Sequence, residues 1–243
     1  MNERKMPEAV ERLDLEDTDD AAQIFLHKQR YDFALDRISR DETVLEIGTG
    51  SGYFSKVLAN HCKSYTGLEI DPASVQRLRD QLAGRGTVVQ GDAQASPLQA
   101  SSYSSVVILE VLEHLPDYRK AVQEIHRCIK LDGKVIVSVP YRARGGKSDT
   151  NEFHLYEPGE QELVQEFQKY FRKVEVQYQY FQETPLMTTA RIFHFRRFVG
   201  LAGVYRNLWQ GLPSAVEKVK IDTAGKGMRI TLMLVASEKK ATL

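Results

Sequence analysis

A glycine-rich turn that follows an acidic residue is the segment of this sequence best suited to chemistry. Gly48, Gly50 and Gly52 alternate in a loop between a predicted buried strand and a predicted helix, and Glu46 ends the strand. Glycines allow close approach of a ligand to the backbone, and the following helix offers unpaired N–H groups and a positive dipole end. A carboxylate at Glu46 would repel a phosphate but attract an amine. The turn therefore predicts a nucleotide-type site whose ligand carries a positive group.

The spacing of these glycines separates the loop from two better-known phosphate loops. It reads G-x-G-x-G, whereas the dinucleotide fingerprint is G-x-G-x-x-G. No Gly-Lys-Ser/Thr ending follows, as a Walker loop would need.

Acidic residues also end the next three predicted strands. Glu69 lies about twenty residues beyond the loop, where dinucleotide folds place the carboxylate that binds ribose. Asp92 follows the third strand and can accept a hydrogen bond from an adenine amino group, and Glu110 follows the fourth. Each acid alone is typical of a helix cap or a turn. Four in succession indicate a composite ligand site.

The remaining pattern alternates strands and helices. It predicts an α/β fold: a Rossmann-like, doubly wound, mostly parallel seven-stranded sheet with a helical insertion before the last strand. Ligands bind such sheets at the carboxyl ends of the strands, where all these motifs fall. The predicted strands are 44–47, 65–71, 87–90, 105–109, 134–140, 173–181 and 228–237, and the predicted helices are 21–38, 53–61, 72–83, 117–129 and 158–171.

With these motifs in order, residues 23–140 resemble class I S-adenosylmethionine-dependent methyltransferases of type 11, in particular the branch with the ubiquinone-biosynthesis O-methyltransferases. The resemblance implies that the glycine loop holds the methionine part of the cofactor, that Glu69 binds the ribose hydroxyls, and that Asp92 and Ala93 flank the adenine. One departure is Tyr103-Ser104, where many relatives have an aromatic residue and an aspartate. The implied cofactor residues are Arg30, Tyr31, Glu46, Gly48, Gly50, Gly52, Glu69, Ile70, Asp92, Ala93 and Leu109.

The helix before the first strand carries an Arg-Tyr pair, Arg30 and Tyr31, that resembles the family's cap over the cofactor. Arg30 would then meet the methionine carboxylate. The whole chain is expected to form one domain, residues 1–243, with residues 1–40 as the N-terminal capping helix.

A second group of side chains suits work on the methyl acceptor. Glu110, Glu113 and His114 would share one face of a helix by their i,i+3 and i,i+4 spacing, and His154 lies in a later loop. Two carboxylates and two imidazoles can hold Mg²⁺ or another divalent ion against an acceptor hydroxyl, and the set resembles the metal site of small-RNA 2′-O-methyltransferases. In the alternative interpretation His114 is a general base. Methyl transfer from a sulfonium can also proceed without a base, through alignment alone.

Residues 182–227 form an insertion where relatives often have only a hairpin. Within it, residues 191–209 combine arginines with aromatic side chains and contain no acid. Such a segment can lie peripherally on an anionic membrane or cap a greasy substrate. It can equally be a lid packed on the sheet edge or against a second subunit.

Composition restricts the partners and the location of the protein. The 243 residues contain 33 Lys plus Arg and 33 Asp plus Glu, so no basic field indicates nucleic acid as a main partner. Cys62 and Cys128 are widely separated, which favours free thiols in a reducing compartment. The first residues lead into an acidic stretch rather than an apolar leader, so we expect a cytoplasmic protein.

These observations predict an enzyme that moves a methyl group from S-adenosylmethionine to a small or lipid-like acceptor, with oxygen as the favoured target atom. Three alternatives remain open: a metal-dependent RNA 2′-O-methyltransferase, a non-catalytic protein that binds the cofactor, and an aminopropyl transferase of the same fold. The sequence leaves the acceptor and the oligomeric state undefined.

Overall fold

One mixed sheet with helices on both faces makes up the part of the chain that the computed structural model describes, residues 21–148, 151–182, 219–222 and 227–241. In chain order the helices are α1 (Ala21–Leu35), α2 (Ser55–His61), α3 (Pro72–Leu82), α4 (Tyr118–Cys128) and α5 (Glu160–Tyr170), with a 3₁₀ turn at Leu112–His114. The strands are β1 (Thr43–Ile47), β2 (Ser64–Glu69), β3 (Thr87–Gln90), β4 (Tyr103–Leu109), β5 (Ile129–Pro140), β6 (Phe171–Gln182), β7 (Val219–Asp222) and β8 (Gly227–Lys239).

The order of the strands in the sheet creates a crevice above β1. The order is β3-β2-β1-β4-β5-β8-β6-β7, and the pairs from β3 to β5 are parallel while those from β5 to β7 are antiparallel. The chain runs outward from β1 in one direction through β2 and β3, then returns to start again on the other side with β4. Ligands bind doubly wound sheets at such a reversal, beyond the carboxyl ends of the strands. This architecture confirms the α/β, doubly wound fold expected from the sequence.

The edge strand β7 lies inside the segment predicted to be a helical insertion. Val219–Asp222 pairs with β6 between Tyr178 and Phe181, which extends the predicted seven-stranded sheet by one short strand. The run Val-Lys-Ile-Asp alternates apolar and polar residues, as an edge strand with one packed face requires. Residues 183–218 and 223–226, which include the basic aromatic run 191–209, lie outside the described residues.

Helices cover both faces of the central strands, and this burial favours a single register between neighbouring strands. In β4, Val106 and Ile108 pack with α4 and α5 on one face, whereas Val107 packs with α1, α2 and α3 on the other. All three side chains are fully buried. The apolar side chains Ala121, Val122 and Ile125 of α4 are also fully buried. A one-residue shift of register would move every side chain of such a strand to the opposite face of the sheet, where it would meet different packing partners. Strands that are covered on both faces therefore resist such shifts.

Within the described ranges, no helix has the length and apolar character needed to cross a lipid bilayer.

Candidate active site

The glycine loop leaves β1 in a conformation that ordinary residues rarely adopt. Gly48, Gly50 and Gly52 have φ values of 73°, 55° and 75°. A Cβ on Gly48 would lie 2.4 Å from Cγ2 of Val111, whereas a Cβ on Gly50 would meet no atom of the described residues within 4 Å. Gly48 is thus required by both its backbone and its packing. Gly50 borders open space, which leaves room for a ligand against the loop.

Glu46, at the end of β1, is buried and receives three hydroxyl groups. Its Oε1 accepts from the Tyr31 hydroxyl at 2.6 Å, and its Oε2 accepts from Ser55 Oγ at 2.7 Å and from the Tyr65 hydroxyl. Burial raises the pKa of Glu46, and the three hydroxyl donors oppose that shift. Because each carboxylate oxygen can accept about two hydrogen bonds, Oε1 retains capacity for one further donor.

Tyr31 also places helix α1 over the glycine loop. Its ring stacks on Phe54, which directly precedes α2, with centroids 4.5 Å apart and planes inclined by 17°. Burial raises the pKa of Tyr31 well above its ordinary value, and the Glu46 carboxylate adds to the shift. The phenol therefore stays protonated and donates. The role of Tyr31 as part of a cap over a cofactor stays a prediction.

Glu69, at the end of β2, ties the second strand to the glycine loop. Its Oε2 accepts from the Gly50 N–H at 2.9 Å, and its Oε1 accepts from the N–H groups of Ile70 at 2.9 Å and Asp71 at 3.0 Å. Asp71 then caps α3 by accepting from the Ser74 N–H at 2.7 Å. Backbone donors on three sides leave the Glu69 carboxylate little freedom to rotate.

Asp92 and Ala93 follow β3 at the same edge of the sheet. Glu69 and Gln90 are partners in the parallel β2–β3 register, so the chain beyond Gln90 lies beside Glu69. Asp92 accepts from the Gln94 N–H at 2.8 Å, and Ala93 is buried. Together with Ile70 and Leu109, these residues lie at the carboxyl ends of neighbouring strands.

Glu110, directly after β4, adopts a left-handed backbone conformation with a φ of 54°. Its N–H lies 3.0 Å from the Ser138 carbonyl oxygen and 3.1 Å from Ser138 Oγ. Ser138 Oγ donates to Glu110 Oε1 at 2.6 Å. Glu110 Oε2 lies 3.4 Å from Nη1 of Arg30. Glu110 is therefore engaged on both carboxylate oxygens by protein groups.

Arg30 lies in α1, and its described contacts are with protein side chains. The residue is only 4% exposed. Its Nε donates to Gln179 Oε1 at 3.0 Å and its Nη2 donates to Thr231 Oγ1 at 2.9 Å. With Glu110 as the third partner, the guanidinium joins α1 to β6, to β8 and to the end of β4.

A separate cluster forms beyond β4 from Glu113, His114 and His154. One ligand atom from each lies within 4.8 Å of the others, and the two imidazole rings are 4.8 Å apart at an angle of 84°. His114 Nδ1 lies 3.1 Å from the carbonyl oxygen of Phe153, and His154 Nδ1 lies 2.6 Å from Glu157 Oε1. The loop that carries His154 is thus held against the 3₁₀ turn.

The Glu113 carboxylate is unusual because it is fully buried and neither oxygen has a hydrogen-bond partner among the described residues. Burial raises its pKa well above the ordinary value, and the nearby Glu110 adds to the shift. An unpaired buried carboxylate is unfavourable unless a proton or a cation neutralises it. This cluster can therefore bind a positive charge.

The predicted four-residue set is only partly brought together. The expectation placed Glu110, Glu113 and His114 on one face of an α-helix, but the left-handed Glu110 interrupts the chain and Leu112–His114 forms a single 3₁₀ turn. Glu110 is directed to Arg30 and Ser138, so the compact group contains Glu113, His114 and His154.

Comparison with known proteins identifies the family. Residues 45–137 match the family model described as a methyltransferase domain. A probable S-adenosylmethionine-dependent methyltransferase of Mycolicibacterium smegmatis is 33% identical over 125 residues, which cover 50% of this chain and 48% of that protein. The chain carries a class I methyltransferase domain. A ubiquinone biosynthesis O-methyltransferase of Pseudomonas paraeruginosa is 33% identical over 104 residues, 40% of this chain and 44% of that one. These matches span about half the length of the curated relatives.

Solved structures share the fold of this methyltransferase domain at low sequence identity. A possible histamine N-methyltransferase from Thermotoga maritima aligns with a TM-score of 0.62 at 17% identity, covering 90% of this chain and 91% of that one. The N-methyltransferase NodS from Bradyrhizobium japonicum, in complex with S-adenosyl-L-homocysteine, aligns with a TM-score of 0.57 at 14% identity, covering 90% and 89%.

Several contacts in the methyltransferase domain and around it were not anticipated from the sequence. Tyr65 and Ser55 bind Glu46, Ser138 binds Glu110, and Gln179 and Thr231 bind Arg30. Ser138 and Tyr65 did carry a signal, since each is a polar residue within a buried strand and needs a partner. The two pairings of Arg30 join distant parts of the chain, and sequence spacing contains no information about them.

Proposed function

We propose that this protein binds S-adenosylmethionine in the crevice above β1 and transfers the methyl group to a small acceptor, with oxygen as the favoured target atom. The observation that carries the proposal is the continuous row of Glu46, the glycine loop, Glu69 and Asp92 at the carboxyl edge of a methyltransferase-domain sheet. When bound, the cofactor supplies an electrophilic methyl group on a sulfonium.

The residues present fit that cofactor. Glu46 Oε1 has capacity for one more donor, which suits the ammonium of the methionine part, and Gly50 leaves open space beside it. Glu69 is held by backbone donors, and its Oε2, which accepts only the Gly50 N–H, has capacity for a ribose hydroxyl. We assign cofactor contacts to Tyr31, Glu46, Gly48, Gly50, Gly52, Glu69, Ile70, Asp92, Ala93 and Leu109.

The acceptor would meet the cluster of Glu113, His114 and His154. An imidazole titrates near neutral pH, so His114 can accept the proton of a hydroxyl acceptor as the methyl group moves. The name of the Pseudomonas relative, an O-methyltransferase, supports a hydroxyl acceptor. The balance of 33 basic and 33 acidic residues does not favour RNA as the substrate.

The same cluster supports a second proposal, that a divalent cation activates the acceptor. Its basis is the buried Glu113 carboxylate, which has no hydrogen-bond partner in the described part of the chain and lies within 4.8 Å of ligand atoms from two histidines. Two imidazoles and one carboxylate suit a transition metal such as Zn²⁺, Mn²⁺ or Fe²⁺ better than Mg²⁺, which prefers oxygen ligands. Such an ion would lower the pKa of a bound hydroxyl.

Titration calorimetry with S-adenosylhomocysteine tests the main proposal. We expect wild-type protein to bind, and Glu69→Ala to weaken binding tenfold or more, or about 1.4 kcal/mol. Glu175→Ala is the matched control, because this carboxylate lies on β6 and is half exposed. Absence of binding by folded wild-type protein would remove the proposal. Binding without turnover across hydroxyl, amine and RNA acceptors would favour a non-catalytic role.

Co²⁺ titration followed by visible absorption tests the metal proposal separately. We expect wild-type protein and the control Glu175→Gln, on β6, to develop the same absorption bands, whereas Glu113→Gln and His154→Gln lose them. If wild-type protein develops no bands, His114 as a general base becomes the preferred reading of the cluster.

A further inference from the structure

Arg30 is a buried charge that joins four separate elements. All three guanidinium nitrogens have partners: Nε contacts Gln179, Nη2 contacts Thr231, and Nη1 faces Glu110. Gln179 and Thr231 are themselves buried. Gln179 Nε2 also donates to the Leu26 carbonyl oxygen at 3.1 Å, so the network returns to α1. A guanidinium in such surroundings is fixed in position, because losing any partner would leave a buried polar group unsatisfied.

Glu110 is the partner with the most direct link to the site. A residue with a Cβ at a φ of 54° is uncommon and persists only where its surroundings hold it. Ser138 binds the Glu110 N–H and Oε1, and Arg30 binds Oε2. Since Glu110 lies between β4 and the 3₁₀ turn, its backbone conformation sets the direction in which the chain leaves the sheet.

We infer that Arg30 is a positioning residue: through Glu110 it holds the turn that brings Glu113 and His114 to His154. The inference rests on the proposed function, because the proposed function is what assigns this cluster to the methyl acceptor. The contacts assign Arg30 to the acceptor side of the site. The family resemblance would instead assign it to the carboxylate of the methionine part.

Two ligands of the crevice distinguish these roles. S-Adenosylhomocysteine carries the amino-acid carboxylate, and 5′-methylthioadenosine lacks it. If Arg30 only positions the turn, Arg30→Gln changes the affinities for both ligands by similar factors, and their ratio stays within threefold of wild type. If Arg30 binds the carboxylate, Arg30→Gln lowers the affinity for S-adenosylhomocysteine tenfold or more and leaves that for methylthioadenosine unchanged. The second result would overturn the inference.

NMR of the histidine rings measures the positioning itself at one fixed pH. Arg30→Gln, Glu110→Gln and the double variant should each move the ¹H–¹³C ring signals of His114 and His154. The double variant should add no further shift, because both substitutions break the same link. His61 and His126 lie away from the cluster, and their signals should stay in place. Unmoved His114 and His154 signals in folded Arg30→Gln would contradict the inference, as would equal movement of all four.

Two further variants complete the design. Lys28→Gln, on the exposed face of the same helix, should leave the ring signals of His61, His114, His126 and His154 unchanged. If Arg30→Gln does not fold, Arg30→Lys keeps a cation near Glu110 without the guanidinium's divergent donors, and it should give smaller shifts in the same direction. The ring signals report on the Arg30–Glu110 link even if neither crevice ligand binds, so failure of the proposed function and failure of this inference remain distinguishable.

Discussion

Replacing Gly48 with alanine should destabilise the protein for two separable reasons. The backbone at this position has a φ of 73°, and an L-residue in the left-handed region costs about 1–2 kcal/mol. The new Cβ would also lie 2.4 Å from Val111 Cγ2, and an overpacked methyl group typically costs about 1–3 kcal/mol. The free energy of unfolding should therefore fall by about 2–5 kcal/mol.

Urea denaturation of the wild-type protein, Gly48→Ala, Val111→Ala and the double variant separates the two effects. Val111→Ala removes the methyl groups that the new Cβ would meet. In the Val111→Ala background, Gly48→Ala should therefore lower the free energy of unfolding by about 1–3 kcal/mol less than it does in the wild-type background. The backbone part should remain. Gly50→Ala provides the comparison, because its φ is 55° but no atom lies within 4 Å of its Cβ. It should lose only about 1–2 kcal/mol.

Two outcomes would refute this reasoning: equal losses for Gly48→Ala and Gly50→Ala, or no coupling between Gly48→Ala and Val111→Ala. Ligand binding adds a functional contrast. Gly50→Ala should fold but bind S-adenosylhomocysteine more weakly, since its Cβ enters the space proposed for the cofactor.

Three further substitutions give independent tests. Tyr31→Phe removes a donor to the Glu46 carboxylate and should lower the free energy of unfolding by about 1.5–3 kcal/mol, measured in urea; an unchanged value would mean that α1 does not depend on this bond. Glu113→Met removes a buried carboxylate without partners and should raise the free energy of unfolding by about 1–3 kcal/mol in metal-free buffer; a loss of stability there would contradict our view of the cluster. Burial lowers the pKa of His27 to about 3, and the charge of Arg30 adds to the shift. Between this value and the pKa of about 6.5 in the unfolded chain, the unfolded chain binds more protons than the folded protein. The free energy of unfolding therefore falls as the pH falls through this window, by up to about 1.4 kcal/mol per pH unit. His27→Gln should reduce that slope between pH 6.5 and 4.5, and an identical slope would place the pH dependence elsewhere.

The cofactor half of the site follows closely from local sequence. Glu46, Glu69 and Asp92 each follow a run of apolar residues that reads as a buried strand. Because parallel strands end at one edge of a sheet, predicting the strands also predicts that these acids are neighbours.

The acceptor half depends on contacts that spacing does not encode. Helical periodicity grouped Glu110 with Glu113, but the backbone is left-handed at Glu110, whose carboxylate contacts Ser138 on the neighbouring strand and Arg30 far earlier in the chain. His154 was also included in the group, and it is the folded loop that brings its ring close to His114. The burial of Glu113 without a hydrogen-bond partner among the described residues likewise has no sequence signal.

The segment 45–137 that matches the methyltransferase family model leaves out several residues that contact the candidate site from either side. Tyr31 reaches Glu46 from upstream, and Ser138 and His154 lie downstream. A chimera that received this segment from a relative would inherit the cofactor loop but would meet foreign partners at Glu46, Glu110 and His114. We therefore expect substrate preference to depend on the flanking segments as well as on the shared segment. Family membership predicts the methyl donor far better than it predicts the acceptor.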